Sequence, residues 1–128
     1  TRPTPATWIE VDTTEMFLPD LMIEHAYFRP VFASRLEEPL VGTAHIVGIS
    51  CGFDLMARAV EAPRVAAGDV IAFLDTGAYQ DAAATNFNVL ARPGTVLVSG
   101  NRARLVKRHE TLDEVLGRDE PDALEVEL

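Results

Sequence analysis

One cysteine and one lysine are all this 128-residue chain offers of the two most reactive side chains. The single Cys51 excludes an internal disulfide framework and suits a reducing, cytoplasmic compartment. Lys107 leaves one side-chain amine for any chemistry that needs one. No stretch approaches the roughly 20 consecutive apolar residues of a membrane span, so no membrane partner is expected. The opening Thr1-Arg2-Pro3-Thr4-Pro5 has neither an apolar signal region nor an initiator Met, which reads as a processed or excised segment. His25, His45 and His109 stand 20 and 64 positions apart, so metal-ligand spacing is absent. Dinucleotide, P-loop, zincin and nucleophile-elbow patterns are absent too.

What is present reads as one globular domain. Apolar residues make up 48% and charged residues 24% of the chain, which separates it from disordered sequences. A domain of this length buries roughly two-thirds of its unfolded surface. The formal charge of −9 argues against a nucleic-acid partner, and it is unevenly spread. Residues 110–128 carry −7 of it, so a nearly neutral body ends in an acidic tail. The expected division is a β-rich domain over 1–116 and a tail over 117–128.

Strand signals dominate. Trp8-Ile9-Glu10-Val11-Asp12 alternates apolar and polar residues, the period of a half-buried strand. Residues 26–32 are aromatic and β-branched, with Pro30 confining them to an edge or bulge. Further strands are expected over 42–50, 69–74, 95–98 and 103–108, the last two joined by a hairpin turn at Ser99-Gly100-Asn101. Thr111-Leu112-Asp113-Glu114 is a capping box, predicting a short helix to Gly117, and the alanines of 81–84 predict one further helical turn. The fold class is therefore mainly β, a single barrel or sandwich with short helices.

Two positions have chemical potential by themselves. Cys51 lies where a strand ends in the turn Gly48-Ile49-Ser50-Cys51-Gly52, from which a thiol could reach a cleft as acid, base or nucleophile. The alternative is a small buried hydrophobe. Tyr79 follows Gly77-Ala78 at another strand end, offering a ring face and a hydroxyl, or else filling the rim of a core. Arg102, Arg104, Lys107 and Arg108 could attract a small anion, but along a strand they fall on both faces.

The order of motifs is more specific than any one of them. Val11-Asp12, Glu24 through Pro30, Cys51-Gly52-Phe53-Asp54, Gly68-Asp69, Gly77-Ala78-Tyr79, Asn86-Phe87-Asn88 and Arg92-Pro93 together resemble the carboxy-terminal domain of fold-type III decarboxylases dependent on pyridoxal phosphate (PLP). That group includes ornithine, arginine and diaminopimelate decarboxylases, with the alanine racemase-like fold. The resemblance covers about residues 9–116, and the stretch from Gly77 to Asn88 looks especially like ornithine decarboxylases. It implies an amino-terminal TIM-like barrel carrying PLP on a Schiff-base lysine, a homodimer, and active sites at the dimer interface.

Carried over by this resemblance, Cys51 would act across the interface as the acid that protonates the decarboxylated substrate. Tyr79 would contact the cofactor, Asp12 the distal amine of the amino-acid substrate, and Phe87 the neighbourhood of cofactor and interface. Asp54 would support the interface. Two departures bear on the substrate. Gly52 stands where the family has an acid after the cysteine, and Asp20 and Glu24 stand where diaminopimelate enzymes carry Arg and Tyr. Negative charge there repels a second substrate carboxylate, so a basic or neutral amino acid is expected. PLP chemistry needs a lysine amine, and Lys107 lies far from Cys51 and Tyr79 in the motif order. The segment alone is therefore expected to be inactive. The competing reading is a non-catalytic, decarboxylase-like regulatory or interaction domain, and a third is a free-standing barrel binding a small anion through Arg102 and Arg104.

Overall fold

A computed structural model describes residues 7–52 and 54–119. The residues around Thr1, Phe53 of the cysteine loop, and positions 120–128 of the acidic tail lie outside the described residues. The chain divides into two compact units, Thr1–Thr85 and Asn86–Leu128, a boundary inside the 1–116 segment.

The first unit contains, in order, β1 (Thr7–Glu10), α1 (Asp20–Ile23), β2 (Pro30–Phe32), β3 (Gly42–Val47), β4 (Leu55–Ala62), β5 (Ile71–Phe73) and α2 (Gln80–Ala83). Strand β3 is central in a three-stranded sheet, parallel to β1 and antiparallel to β4. Its alternation puts Ala44 and Ile46 inward, where they pack with Ile9, Phe32, Met56, Ala57, Val60 and Ala62. Ile46 is fully buried, which by transfer arithmetic contributes about 1.5–3 kcal/mol. Strands β2 and β5 pair antiparallel beside this sheet, and Ile71 and Phe73 of β5 pack against the core.

Strand β4 is absent from the sequence expectations, and the reason is physical. Leu55-Met56-Ala57-Arg58-Ala59-Val60-Glu61-Ala62 is built from good helix formers. Pairing with β3 overrides that preference, because it buries Met56, Ala57, Val60 and Ala62 together. The strain is taken up locally: Ala44 pairs with Val60 and Ile46 with Ala57, leaving one extra residue on β4. Ala59 sits in that bulge at φ 52°. The strand expected over 26–32 shortens to Pro30–Phe32, with Pro30 at its first position, where a missing N–H does least harm. The 69–74 strand is likewise trimmed, and its residues are half-buried rather than fully interior.

The second unit contains β6 (Thr95–Ser99), β7 (Arg102–Lys107) and α3 (Leu112–Val115). Strands β6 and β7 form the expected hairpin, with Gly100 at φ 55° in the turn. Both arms of the capping box are made: the Thr111 side chain accepts from the Glu114 amide, and the Glu114 carboxylate accepts from the Thr111 amide. Among the described residues no helix is long and apolar enough to cross a membrane.

Candidate functional site

Asp12 sits just beyond β1, after Val11 extends the pairing by donating to the Val47 carbonyl at 2.9 Å. Its carboxylate is exposed. Asp12 lines a groove of about 490 Å³ with Glu10, Val11 and the loop from Val65 to Val70, and neither Cys51 nor Tyr79 borders it.

Cys51 is exposed, on the loop between β3 and β4, and in no disulfide. Asp54 organises that loop. It is 2% exposed, and its Oδ2 accepts from the Ser50 amide at 2.6 Å while Oδ1 accepts from the Glu15 amide at 2.7 Å. Its own carbonyl accepts from the Gly48 amide at 2.8 Å. A Cβ on Gly48 would meet the Asp54 carboxylate at 2.5 Å, so this close approach requires glycine. The interface role expected for Asp54 thus falls on a carboxylate whose two oxygens both serve backbone amides within the fold.

Glu15 beside it is also buried. Burial, and then the neighbouring Asp54 charge, push its carboxyl above the ordinary glutamate value. Nothing in the sequence around Glu15 marked it, because the residue that perturbs it lies 39 positions away.

Tyr79 is 79% exposed, on the turn that enters α2, with φ 64°. A non-glycine residue in that left-handed region costs about 1–2 kcal/mol. The turn is fastened by Gln80, which is 3% exposed. Gln80 Nε2 donates to Asp20 Oδ2 at 2.6 Å and to the Ala78 carbonyl at 3.0 Å, and its Oε1 accepts from the Asp20 amide at 3.3 Å. Asp20, which the sequence placed as a negative charge facing substrate, is therefore bonded to the residue after Tyr79. Glu24 is exposed at the end of α1.

Segment 13–20 is common to these arrangements. Its Thr13 carbonyl accepts from the Ile49 amide at 3.0 Å and its Met16 carbonyl from the Thr85 amide at 3.1 Å, while Glu15 and Asp20 bind Asp54 and Gln80. The loops bearing Cys51 and Tyr79, and the strand end bearing Asp12, are thus fastened to one stretch of backbone. Neither the thiol nor the phenol is part of the hydrophobic interior.

Phe87 belongs to the second unit, 44% exposed, on a 3-10 turn Phe87–Val89. The flanking Asn86 and Arg92 converge on Glu110: Asn86 Nδ2 donates to its Oε2 at 2.7 Å, and the Arg92 amide donates to Oε2 at 2.8 Å. The Arg92 guanidinium pairs with Oε1. Arg92 holds the Glu110 carboxyl down at about 2, with further help from Asn86. Glu110 was not singled out from sequence, and it ties Asn86 to Arg92. Lys107 lies on β7 in this same unit. Among the described residues no group of three His, Cys, Asp or Glu is placed to hold a metal.

The class of this mainly β domain follows from its likeness to known proteins. The chain corresponds to the carboxy-terminal part of fold-type III PLP-dependent decarboxylases. The particular relatives are diaminopimelate decarboxylases. That of Synechocystis sp. is 30% identical over 118 residues, 91% of this chain and 25% of the relative. That of Bacillus subtilis is 33% identical over 97 residues, 75% of this chain and 22% of the relative. The crystal structure of diaminopimelate decarboxylase from M. jannaschii superposes with TM-score 0.79 at 30% identity, over 94% of this chain and 28% of that one. The Helicobacter pylori enzyme, complexed with L-lysine, shares the fold at TM-score 0.78 and 20% identity, over 86% of this chain and 27% of that one. The chain thus spans about a quarter of the length of these relatives. No protein-family model matches it. The ornithine-like stretch from Gly77 to Asn88 does not carry over to these relatives' names, which specify diaminopimelate.

Proposed function

We propose that this domain completes the active site of a PLP-dependent decarboxylase acting on a basic amino acid. The cofactor, its lysine and its phosphate loop would be supplied by a barrel outside these 128 residues, and the site would form between two subunits. The observation that carries this reading is the presentation of Tyr79, a large aromatic 79% exposed in a strained backbone conformation. Such strain persists where the surroundings over-determine it, and it clusters at ligand clamps and active sites.

The residues fit PLP. An exposed phenol on a Gly77-Ala78 turn can offer a hydroxyl to a phosphate, and an exposed thiol can hold a transferable proton. When bound, PLP supplies the electron sink that lets carboxylate leave as CO₂. Cys51 then gives its Sγ proton to the substrate α-carbon. Asp12 holds the distal ammonium through a charge-assisted hydrogen bond, and Tyr79 orients the cofactor. Asp20 and Glu24 contribute acidic character that disfavours a second carboxylate on the substrate.

Joining the chain to its PLP-binding barrel and measuring CO₂ release from lysine, ornithine, arginine and diaminopimelate tests both parts. Release from one of the first three above diaminopimelate is expected. The reverse ranking would overturn the substrate but keep the class, and PLP binding without any release would favour the regulatory alternative.

A further inference from the structure

Asp54 has no role in the chemistry just described, yet it is the most constrained acid among the described residues near Cys51. Its carboxylate is buried in the fold and bonds two backbone amides from different segments, Ser50 next to the thiol and Glu15 three residues beyond Asp12. Its backbone closes the same loop onto Gly48, and the Gly48 Cα has no room for a side chain against it. A neutral amide at this position could accept only through its one oxygen, and its NH₂ would face an amide N–H. The geometry is therefore specific for a carboxylate.

We propose that Asp54 is the positioning residue of Cys51, a carboxylate clamp that sets the thiol loop in register with the Asp12 segment. This inference rests on the decarboxylase reading above, in which Cys51 delivers the α-carbon proton. Misplacing a proton donor by about 1 Å costs on the order of 10²-fold in rate. The clamp would therefore act on turnover and on where the proton arrives, and leave substrate affinity alone.

The test is a double-mutant cycle in the completed PLP enzyme, comparing Asp54→Asn, Cys51→Ala and the double variant, with the stereochemistry of solvent deuterium at the α-carbon read in parallel. Asp54→Asn is expected to lower kcat by roughly 10²-fold, change KM less than about twofold and scramble the deuterium. In the Cys51→Ala background the same substitution is expected to change kcat less than about twofold, because the group it positions is gone. Equal losses in both backgrounds would overturn the proposal and leave Asp54 as a scaffold residue only.

A second readout separates this inference from the reading it rests on. Cys51 is the one thiol of these 128 residues, so iodoacetamide alkylation read by mass spectrometry on the peptide that carries it reports this loop alone. Asp54→Asn is expected to change that rate about fivefold or more at fixed pH, through the freed Ser50 amide and the loosened loop. Unchanged alkylation would overturn the clamp. Full activity of Cys51→Ala with altered alkylation of Asp54→Asn would sink the catalytic reading while keeping the clamp. Should Asp54→Asn fail to fold, Gly48→Ala displaces the same carboxylate and is read by the same two outcomes.

Discussion

Replacing Tyr79 with alanine and with glycine gives two variants whose stability difference isolates the strain at this site. The ring is 79% exposed, so its removal forfeits little buried area in this chain, and both variants lose it equally. What differs is the backbone at φ 64°. Alanine keeps a Cβ in the left-handed region, at a cost of about 1–2 kcal/mol. Glycine is free of that cost but loses about 0.5–1 kcal/mol through the extra freedom of its unfolded chain. The net expectation is that Tyr79→Gly is more stable than Tyr79→Ala by about 0.7 kcal/mol, the difference of the two midpoints. Urea unfolding with a common m-value measures the difference. Alanine more stable than glycine would mean that Tyr79 is not strained, leaving no strain to link it to a ligand. In the completed enzyme both variants should bind PLP more weakly by the same factor, since both lack the phenol. A stabilised variant with weakened cofactor binding is the signature of a residue held for function at the expense of stability.

Two pH experiments probe the buried and paired carboxylates. Glu15 binds its proton more tightly when folded than unfolded, so its contribution to stability falls as pH rises through the ordinary glutamate range toward the raised folded value. Glu15→Gln should therefore stabilise the chain at pH 7, with the gain shrinking below pH 4, and thermal melts at both pH values check the sign. Glu110 is the opposite case: its pKa falls to about 2 on folding, so its contribution is complete above the unfolded value and is lost as pH drops toward 2. Glu110→Gln should flatten this acid-side dependence and release Asn86 and Arg92, seen as faster amide exchange at Arg92, whose N–H bonds Glu110.

How much the sequence disclosed follows from the range of each interaction. The β6–β7 hairpin and the Thr111 capping box were legible because each is set by residues within a few positions of one another. Strand β4 was not, because its helix-forming residues become a strand only through pairing with β3 and burial of Met56 and Val60. The same contrast holds at the site. Cys51, Tyr79, Asp12 and Asp54 stood out through motif order, whereas the long-range partners that hold them did not. Asp54 reaches Glu15 across 39 positions and Gln80 reaches Asp20 across 60. Asp20 shows the cost of reading charge without geometry, since its Oδ2 accepts from Gln80 as well as contributing negative charge.

The sharpest test of the central claim is subunit complementation. Completed enzyme carrying Cys51→Ala is mixed, after dissociation, with enzyme whose barrel lacks the PLP lysine, and CO₂ release is measured. If thiol and amine meet across two subunits, mixed dimers regain one intact site and the mixture recovers about a quarter of wild-type activity. Recovery no greater than that of either variant alone would contradict a site completed by a second subunit.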